Sequence, residues 1–275
     1  MSTSHATFPL PGEGTPAEKL PFHWVLAGLG KRVLRPGGRR LTERLLDALD
    51  IGRFDDVVEF APGMGATARL TLAQHPTSYT AVERDADAAA IVNRYLQESN
   101  QRCVVGHAND TGLPAGSATV VYGEAMLTMQ SAEQKRQIVA EAHRLLKPGG
   151  RYGIHEMCIV PDDLHADARH RIEHELAREV RVGARPLSVA KWRELLQDEG
   201  FEIAAEERLP MRLLEPGRLV EDEGLFGAIR FVVNLLRHGD ARRRVFGMRR
   251  LFRQQSEHLA AVMLVGRKPG VPGNE

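Results

Sequence analysis

The chain has 275 residues, and its 37 Lys and Arg balance 36 Asp and Glu, so bulk charge favours neither nucleic acid nor an acidic surface. With 43% hydrophobic and 27% charged residues it is an ordinary folded protein and not a disordered or fibrous one. Cys103 and Cys158 both sit in apolar runs and read as reduced core residues; no basic-then-apolar leader pattern and no bilayer-length apolar run is present, so a cytoplasmic setting without integral membrane association is expected.

In chain order, residues 1–21 are rich in Ser, Thr, Pro and Gly and are expected to be flexible. Apolar residues at helical spacing predict helices over 22–34 and 39–51, interrupted by "LRPGG". Strand and helix patterns then alternate. Strands are predicted at 56–60, 78–83, 102–108, 118–124 and 151–160, with helices at 67–75, 86–99 and 131–146 and a "KPGG" turn at 147–150. Apolar strands alternating with helices imply a parallel sheet covered on both faces. Beyond residue 160 come a polar helix over 163–181, a helix over 188–200 and strands at 201–209 and 260–268. About fifty residues separate those last two strands, where a short link is the norm. The pattern predicts a helical cap at 210–257, inserted into a single domain spanning 22–275 and covering the site together with residues 163–185 and the N-terminal helix at 22–34.

"VVEFAPGMGATA" (57–68) ends an apolar strand in a carboxylate and follows it with a small-residue loop. Gly63-x-Gly65-x-x-Ala68, with Glu83 near the end of the next strand, fits the dinucleotide fingerprint. Glu59 argues for a different ligand. A carboxylate beside the helix N-terminus offsets the field that attracts a pyrophosphate, and it favours a ligand carrying an ammonium and a sulfonium. S-adenosylmethionine has both.

At these residues the chain resembles the class I S-adenosylmethionine-dependent methyltransferases. "VVEFAPGMG" is similar to their first motif, and "AVERD" (81–85) to their second. "ANDTGLP" (108–114) resembles their Gly-Asp-Ala-x-x-Leu-Pro stretch, and "HRLLKPGGRYGIHE" (143–156) their turn into the fifth strand. The resemblance covers roughly residues 39–160 and implies a Rossmann-like α/β fold with seven strands, the last antiparallel. It implies that Glu59 organises the methionine ammonium, and that Ala61, Gly63 and Gly65 let the loop pass under the ligand. Glu83 would accept the ribose hydroxyls, Arg84 would flank the adenine, and Asn109 and Asp110 would meet its edge. Glu124 would lie near the methyl-bearing end. Ala61 stands where the family usually has glycine, and Asn109 where it has aspartate.

Strand ends carry ligands on such sheets, which makes His155 and Glu156 the catalytic candidates. "YGIHEMCIVPDD" (152–163) is loosely similar to the corresponding segment of sterol and tocopherol methyltransferases, which carries an acid. Two alternating residues on a strand face opposite ways, so only one of them can face the site. His170-Arg171-Ile172-Glu173-His174 fits H-x-x-E-H, yet it falls in a polar helix after a complete core and reads as a solvated face. The expected activity is methyl transfer from S-adenosylmethionine to a small molecule in a capped pocket, without nucleic acid and without metal. Two alternatives stay open: an NAD-dependent oxidoreductase on the same sheet class, and a cofactor-binding interaction protein without catalysis.

Overall fold

The computed structural model describes residues 14–16, 18–180 and 183–270. Most of the segment expected to be flexible, 1–21, lies outside them. Among the described residues the first elements are α1 (Phe22–Gly28) and α2 (Gly38–Leu49), followed by alternating β1 (Asp56–Phe60), α3 (Ala66–Leu72), β2 (Ser78–Glu83), α4 (Ala86–Asn93) and β3 (Gln101–Val105). It continues through β4 (Ala118–Glu124), α5 (Ala132–Leu145), β5 (Leu146–Ile159), α6 (Ala166–Val180), the two-residue β6 (Leu187–Ser188), α7 (Val189–Asp198) and β7 (Glu202–Pro210). Helices α8 (Pro216–Arg237) and α9 (Gly239–Gln254) come before the last strand, β8 (Leu259–Arg267).

The strands lie in the order β3-β2-β1-β4-β5-β8-β7, with β6 alongside the end of β5. Among the described strands only β8 runs antiparallel to its neighbours, as expected for this fold class. From β1 the chain winds first towards β3 and then crosses to β4 and β5. The reversal opens a crevice between the carboxyl ends of β1 and β4, where α/β sheets bind ligands. Strand alternation builds the two faces: Val58, Phe60, Val121 and Ile154 pack with α5 and α7, while Val57, Val120 and Tyr122 pack with α2 and α4. Cys103 and Cys158 are buried free thiols.

A third apolar cluster joins Phe22 and Leu26 of α1, Ile172 and Leu176 of α6, Phe231 and Leu235 of α8 and Val245 and Met248 of α9 to Ile159 and Leu259. The inserted helices therefore pack beyond the ends of β5 and β8.

Local chemistry explains the boundaries. Ser131 and Gln134 form a reciprocal capping box at the start of α5, and Asp85 accepts from the Asp87 and Ala88 N–H groups at the start of α4. Two helices are shorter than their apolar spacing predicts. Helix α1 closes at Gly28 because the Lys31 N–H bonds back to the Leu26 carbonyl through a turn at Gly30 (φ +96°), which carries Lys31 inward. Helix α4 closes at Asn93, whose side-chain amide pairs with both backbone groups of Cys103 on β3. The "KPGG" segment is paired as well as turned: Gly149 and Gly150 exchange backbone bonds with Lys268, and β5 begins at Leu146. Among the described residues no helix is long and apolar enough to cross a membrane.

Candidate functional site

The crevice is a cleft of about 460 Å³. Its floor is the loop after β1 and the ends of β2 and β4, and its roof is Pro21, His23, Trp24, Leu34 and Arg35 from the N-terminal segment. Glu59, Ala61, Gly63, Glu83, Arg84, Asn109 and Glu124 all line it. These seven come from four separate stretches of sequence, and the sheet reversal brings them together.

The loop is tied to the second strand. Glu83 accepts the Gly63 N–H on Oε2 and the Asp85 N–H on Oε1, both at 3.0 Å, and the Ala61 N–H donates to the Val82 carbonyl at 2.9 Å. Ala61 holds φ at +51°, the left-handed region that a glycine would adopt freely. Gly63 is also left-handed (φ +56°), and a Cβ added there would meet no protein atom within 4 Å. The space that Gly63 leaves open belongs to the cleft. Gly65 serves another purpose: it starts α3, and a Cβ there would lie 3.0 Å from the Tyr95 ring. It does not line the cleft.

Glu59 is 3% exposed, and both tyrosine hydroxyls that reach it, Tyr79 at 2.5 Å and Tyr122 at 2.6 Å, donate to Oε2. Burial pushes its carboxyl up to about 7. The Tyr122 and Tyr79 hydroxyls pull it down, nearby Glu124 pushes it up and Arg35 pulls it down. Burial, then the Glu59 charge, holds both tyrosines well above their usual range, so they remain donors.

Glu124, at the end of β4, keeps its side chain largely enclosed too but is far more acidic, at about 2. Burial opposes its ionisation, but the Arg35 charge and the hydrogen bonds from His155 and Thr42 outweigh that cost. Arg35 Nη1 lies 2.9 Å from Oε2, which Thr67 also reaches; Thr42 donates to Oε1 at 2.5 Å. His155 Nδ1 sits 2.8 Å from the same Oε1, while the Gly37 N–H points at Nε2 from 2.9 Å. A backbone N–H can only donate, so Nε2 accepts and the proton sits on Nδ1, facing the carboxylate.

These contacts correct the expectation for the catalytic pair. His155 is fully buried on the α2 face, with both nitrogens occupied. Glu156, fully buried on the opposite face, accepts the Met126, Leu127 and Thr128 N–H groups and the Thr128 hydroxyl at 2.7–3.0 Å. Neither lines the cleft. Glu156 instead holds the short 3-10 turn Leu127–Met129 after β4, and His155 holds Glu124 against Gly37. Alternation sends their side chains apart, and packed elements on both faces enclose each of them.

Asp110 also misses the cleft: it is exposed, its N–H bonded to the His107 carbonyl, while Asn109 stays in the wall. Among the described residues no group of three or more His, Cys, Asp or Glu side chains could hold a metal, and His170 and His174 are exposed on α6. Of the three segments expected to cap the site, only the N-terminal one lines it, through residues 21–35; no described residue of 163–185 or 210–257 does. Sequence reasoning missed His23, Trp24, Arg35 and His107 in the wall; only Arg35, beside the "RPGG" break, had a local signal. His23 Nδ1 is buried without a hydrogen-bond partner, and burial, then the Arg84 charge, lowers its imidazole to about 4 against a smaller opposing effect of Asp85.

A family model described as a methyltransferase domain matches residues 58–154. An uncharacterised protein of Haemophilus influenzae is 31% identical over 219 residues, which covers 78% of this chain and 85% of that protein. Among solved structures, a geranyl diphosphate methyltransferase in complex with S-adenosylmethionine superposes with a TM-score of 0.61 at 17% identity, covering 83% of this chain and 84% of that one. The [4+2]-cyclase SpnF superposes with a TM-score of 0.66 at 18% identity, covering 96% and 97%. At such identities the solved structures speak for the fold alone. The domain match, which begins on β1 and ends inside β5, speaks for the cofactor and sets aside the nicotinamide reading. Residues 58–154 of this chain carry the methyltransferase domain of the class I S-adenosylmethionine-dependent methyltransferases.

Proposed function

We propose that this enzyme methylates a small molecule bound in the cleft under the Pro21–Arg35 segment. The observation that carries the reading is the roof: Pro21, His23, Trp24 and Leu34 close over the strand ends. The volume of about 460 Å³ is in the range of small-molecule sites. A macromolecular surface would have to displace that roof, whereas a free metabolite would not.

The residues suit S-adenosylmethionine. Glu59 would meet its ammonium, the Gly63 backbone would pass beneath it, and Glu83 would accept ribose hydroxyls with the lone pairs its two loop bonds leave free. Arg84 and Asn109 would border the adenine, and Glu124 would face the sulfonium end with Arg35 fixing its position. When bound, the cofactor supplies a methyl group already activated by sulfonium. The chain must then align an acceptor and exclude water. Trp24, Leu34, Met126, Met129 and Ile138 give the wall its apolar part. His23, neutral near pH 7, places an uncharged imidazole in the same wall, where it would pack against the acceptor.

The test is transfer of labelled methyl from S-adenosylmethionine into a cell extract. Label should enter the low-mass fraction, and His23→Ala should lower transfer at least tenfold while S-adenosylhomocysteine affinity stays within a few fold. Label found only in protein or RNA would refute the small-molecule acceptor.

A further inference from the structure

We propose that the outward faces of α8 and α9 form a docking surface for an anionic phospholipid bilayer. From Leu225 to Arg237, α8 is apolar on two sides. Ala228, Phe231 and Leu235 are buried, while Leu225, Phe226, Ile229, Val232, Val233 and Leu236 are exposed. At 3.6 residues per turn those six fall within one arc of about 120°. Single exposed apolar residues are common on soluble proteins, but a continuous stripe is not. Phe226, 87% exposed, stands almost wholly in water.

Charge identifies the occupant. From Leu225 to Gln254 there are eight arginines against the single acid Asp240, a net +7 in a chain whose total is +1. Helix α9 buries Ala241, Val245, Met248 and Phe252, so its opposite side presents Arg242, Phe246, Arg249, Arg250 and Arg253. Phe246, Arg249, Arg250, Arg253 and Gln254 line a shallow depression of about 530 Å³. Arg249 Nε is buried there without a hydrogen-bond partner.

A second copy of the chain would bring this same positive face against itself across a twofold axis, where like charges repel. A nucleic acid would pair with the arginines and leave the stripe in water. An anionic bilayer takes both features: apolar side chains enter the acyl boundary, and guanidinium groups meet headgroup phosphates. The third core holds both helices by their buried faces and leaves these faces turned away from the protein.

Co-sedimentation of the full chain with vesicles tests the assignment without reading activity. Vesicles containing about one-third phosphatidylglycerol should bind it at least tenfold better than pure phosphatidylcholine, and high salt should weaken the binding. Phe226→Ser with Ile229→Ser and Leu236→Ser should lose at least tenfold, as should Arg249→Gln with Arg250→Gln and Arg253→Gln, with melting temperatures unchanged. Three results would overturn the proposal: equal binding to neutral vesicles or none to either, full binding by the apolar triple variant, or a wild-type dimer that this variant converts to monomer. Retention on single-stranded RNA without vesicle binding would overturn it in favour of nucleic acid.

Discussion

Lys31 and Asp222 meet at 3.0 Å, 191 residues apart in sequence, with neither side chain exposed to solvent. The pair belongs to a larger latch. Glu223 accepts the Arg32 and Val33 N–H groups at 2.8 and 2.9 Å, and Asp222 accepts the Arg39 N–H at 2.9 Å. Two adjacent acids in the first part of α8 thus fix the loop that delivers Arg35 to Glu124.

Removing the cation should be costly. Lys31→Met leaves two buried carboxylates without their counter-ion, at about 3–5 kcal/mol of stability. Urea unfolding measures it, and S-adenosylhomocysteine affinity should fall as the Arg35 loop loosens. Replacing the pair together, Lys31→Met with Asp222→Leu, should recover part of the loss. A single variant as stable as wild type would show that the latch carries no energy.

Glu59 gives the cofactor site a pH dependence. Its carboxyl, buried and raised from the ordinary 4.5 to about 7, is largely protonated at pH 6. A cationic ammonium favours the ionised form, so S-adenosylhomocysteine affinity should rise several-fold from pH 6 to 7.5, with proton release on binding at pH 6. In the free protein the sign is reversed. The folded state retains a proton that the unfolded chain loses above 4.5, so this contribution to stability is complete below 4.5 and lost as pH rises through 7. Glu59→Gln should flatten both profiles, which titration calorimetry and a thermal melting series across pH would record.

Ala61 holds a conformation unfavourable to a side chain, with φ at +51°. The left-handed region costs an alanine roughly 1–2 kcal/mol, against about 0.5–1 kcal/mol of extra backbone entropy that glycine would lose on folding. Ala61→Gly should therefore stabilise the protein by about 0.5–1 kcal/mol in urea unfolding. A loss would mean that the alanine methyl packs better than it fits its backbone.

Glu156→Gln separates anchoring from catalysis. An amide cannot accept all four of the donors that the carboxylate accepts, and its NH2 would face a backbone N–H. The expected cost is at least about 2 kcal/mol, with faster hydrogen exchange at residues 126–128 and a pH-rate profile of unchanged shape. A stable variant that loses one limb of that profile would restore Glu156 as a base.

The central strands were legible because their apolar runs are buried on both faces and bounded by turn residues, and the half-exposed edge strands β3 and β7 because turn residues bound them too. All seven longer ones lie close to where the pattern predicts them. The floor of the cleft was legible for a related reason: Glu59, Gly63 and Glu83 sit at strand ends, where period and topology together determine position. The roof was legible only in outline: the helix at 22–34 is expected to share in the cap, but nothing in "PFHWVLAGLGKRVLR" (21–35) reports that Lys31 will meet Asp222 and fix the loop that carries Arg35. His155 and Glu156 misled for the opposite reason. Their place level with Glu124, the last residue of β4, is what a catalytic pair would have, but β5 continues past them to Ile159, and the packed donors around them disclose anchoring. Gly63 and Gly65 belong to one motif yet satisfy different needs, an open cleft wall and the Tyr95 ring.

Gly224 interrupts α8 with φ 71° and ψ 169°, just after the two acids that hold the N-terminal loop. The break divides the helix into an anchor and an outboard arm that need not share a fate. Arg230 and Asn234 still tie the arm to the Gly30 and Leu29 carbonyls, but its outermost apolar residues Ile229, Val232 and Leu236 make no such bond to the Arg35 loop and can vary. Relatives of this chain can therefore vary the surface that the arm presents while keeping the same chemistry, and the arm is where their sequences should diverge first.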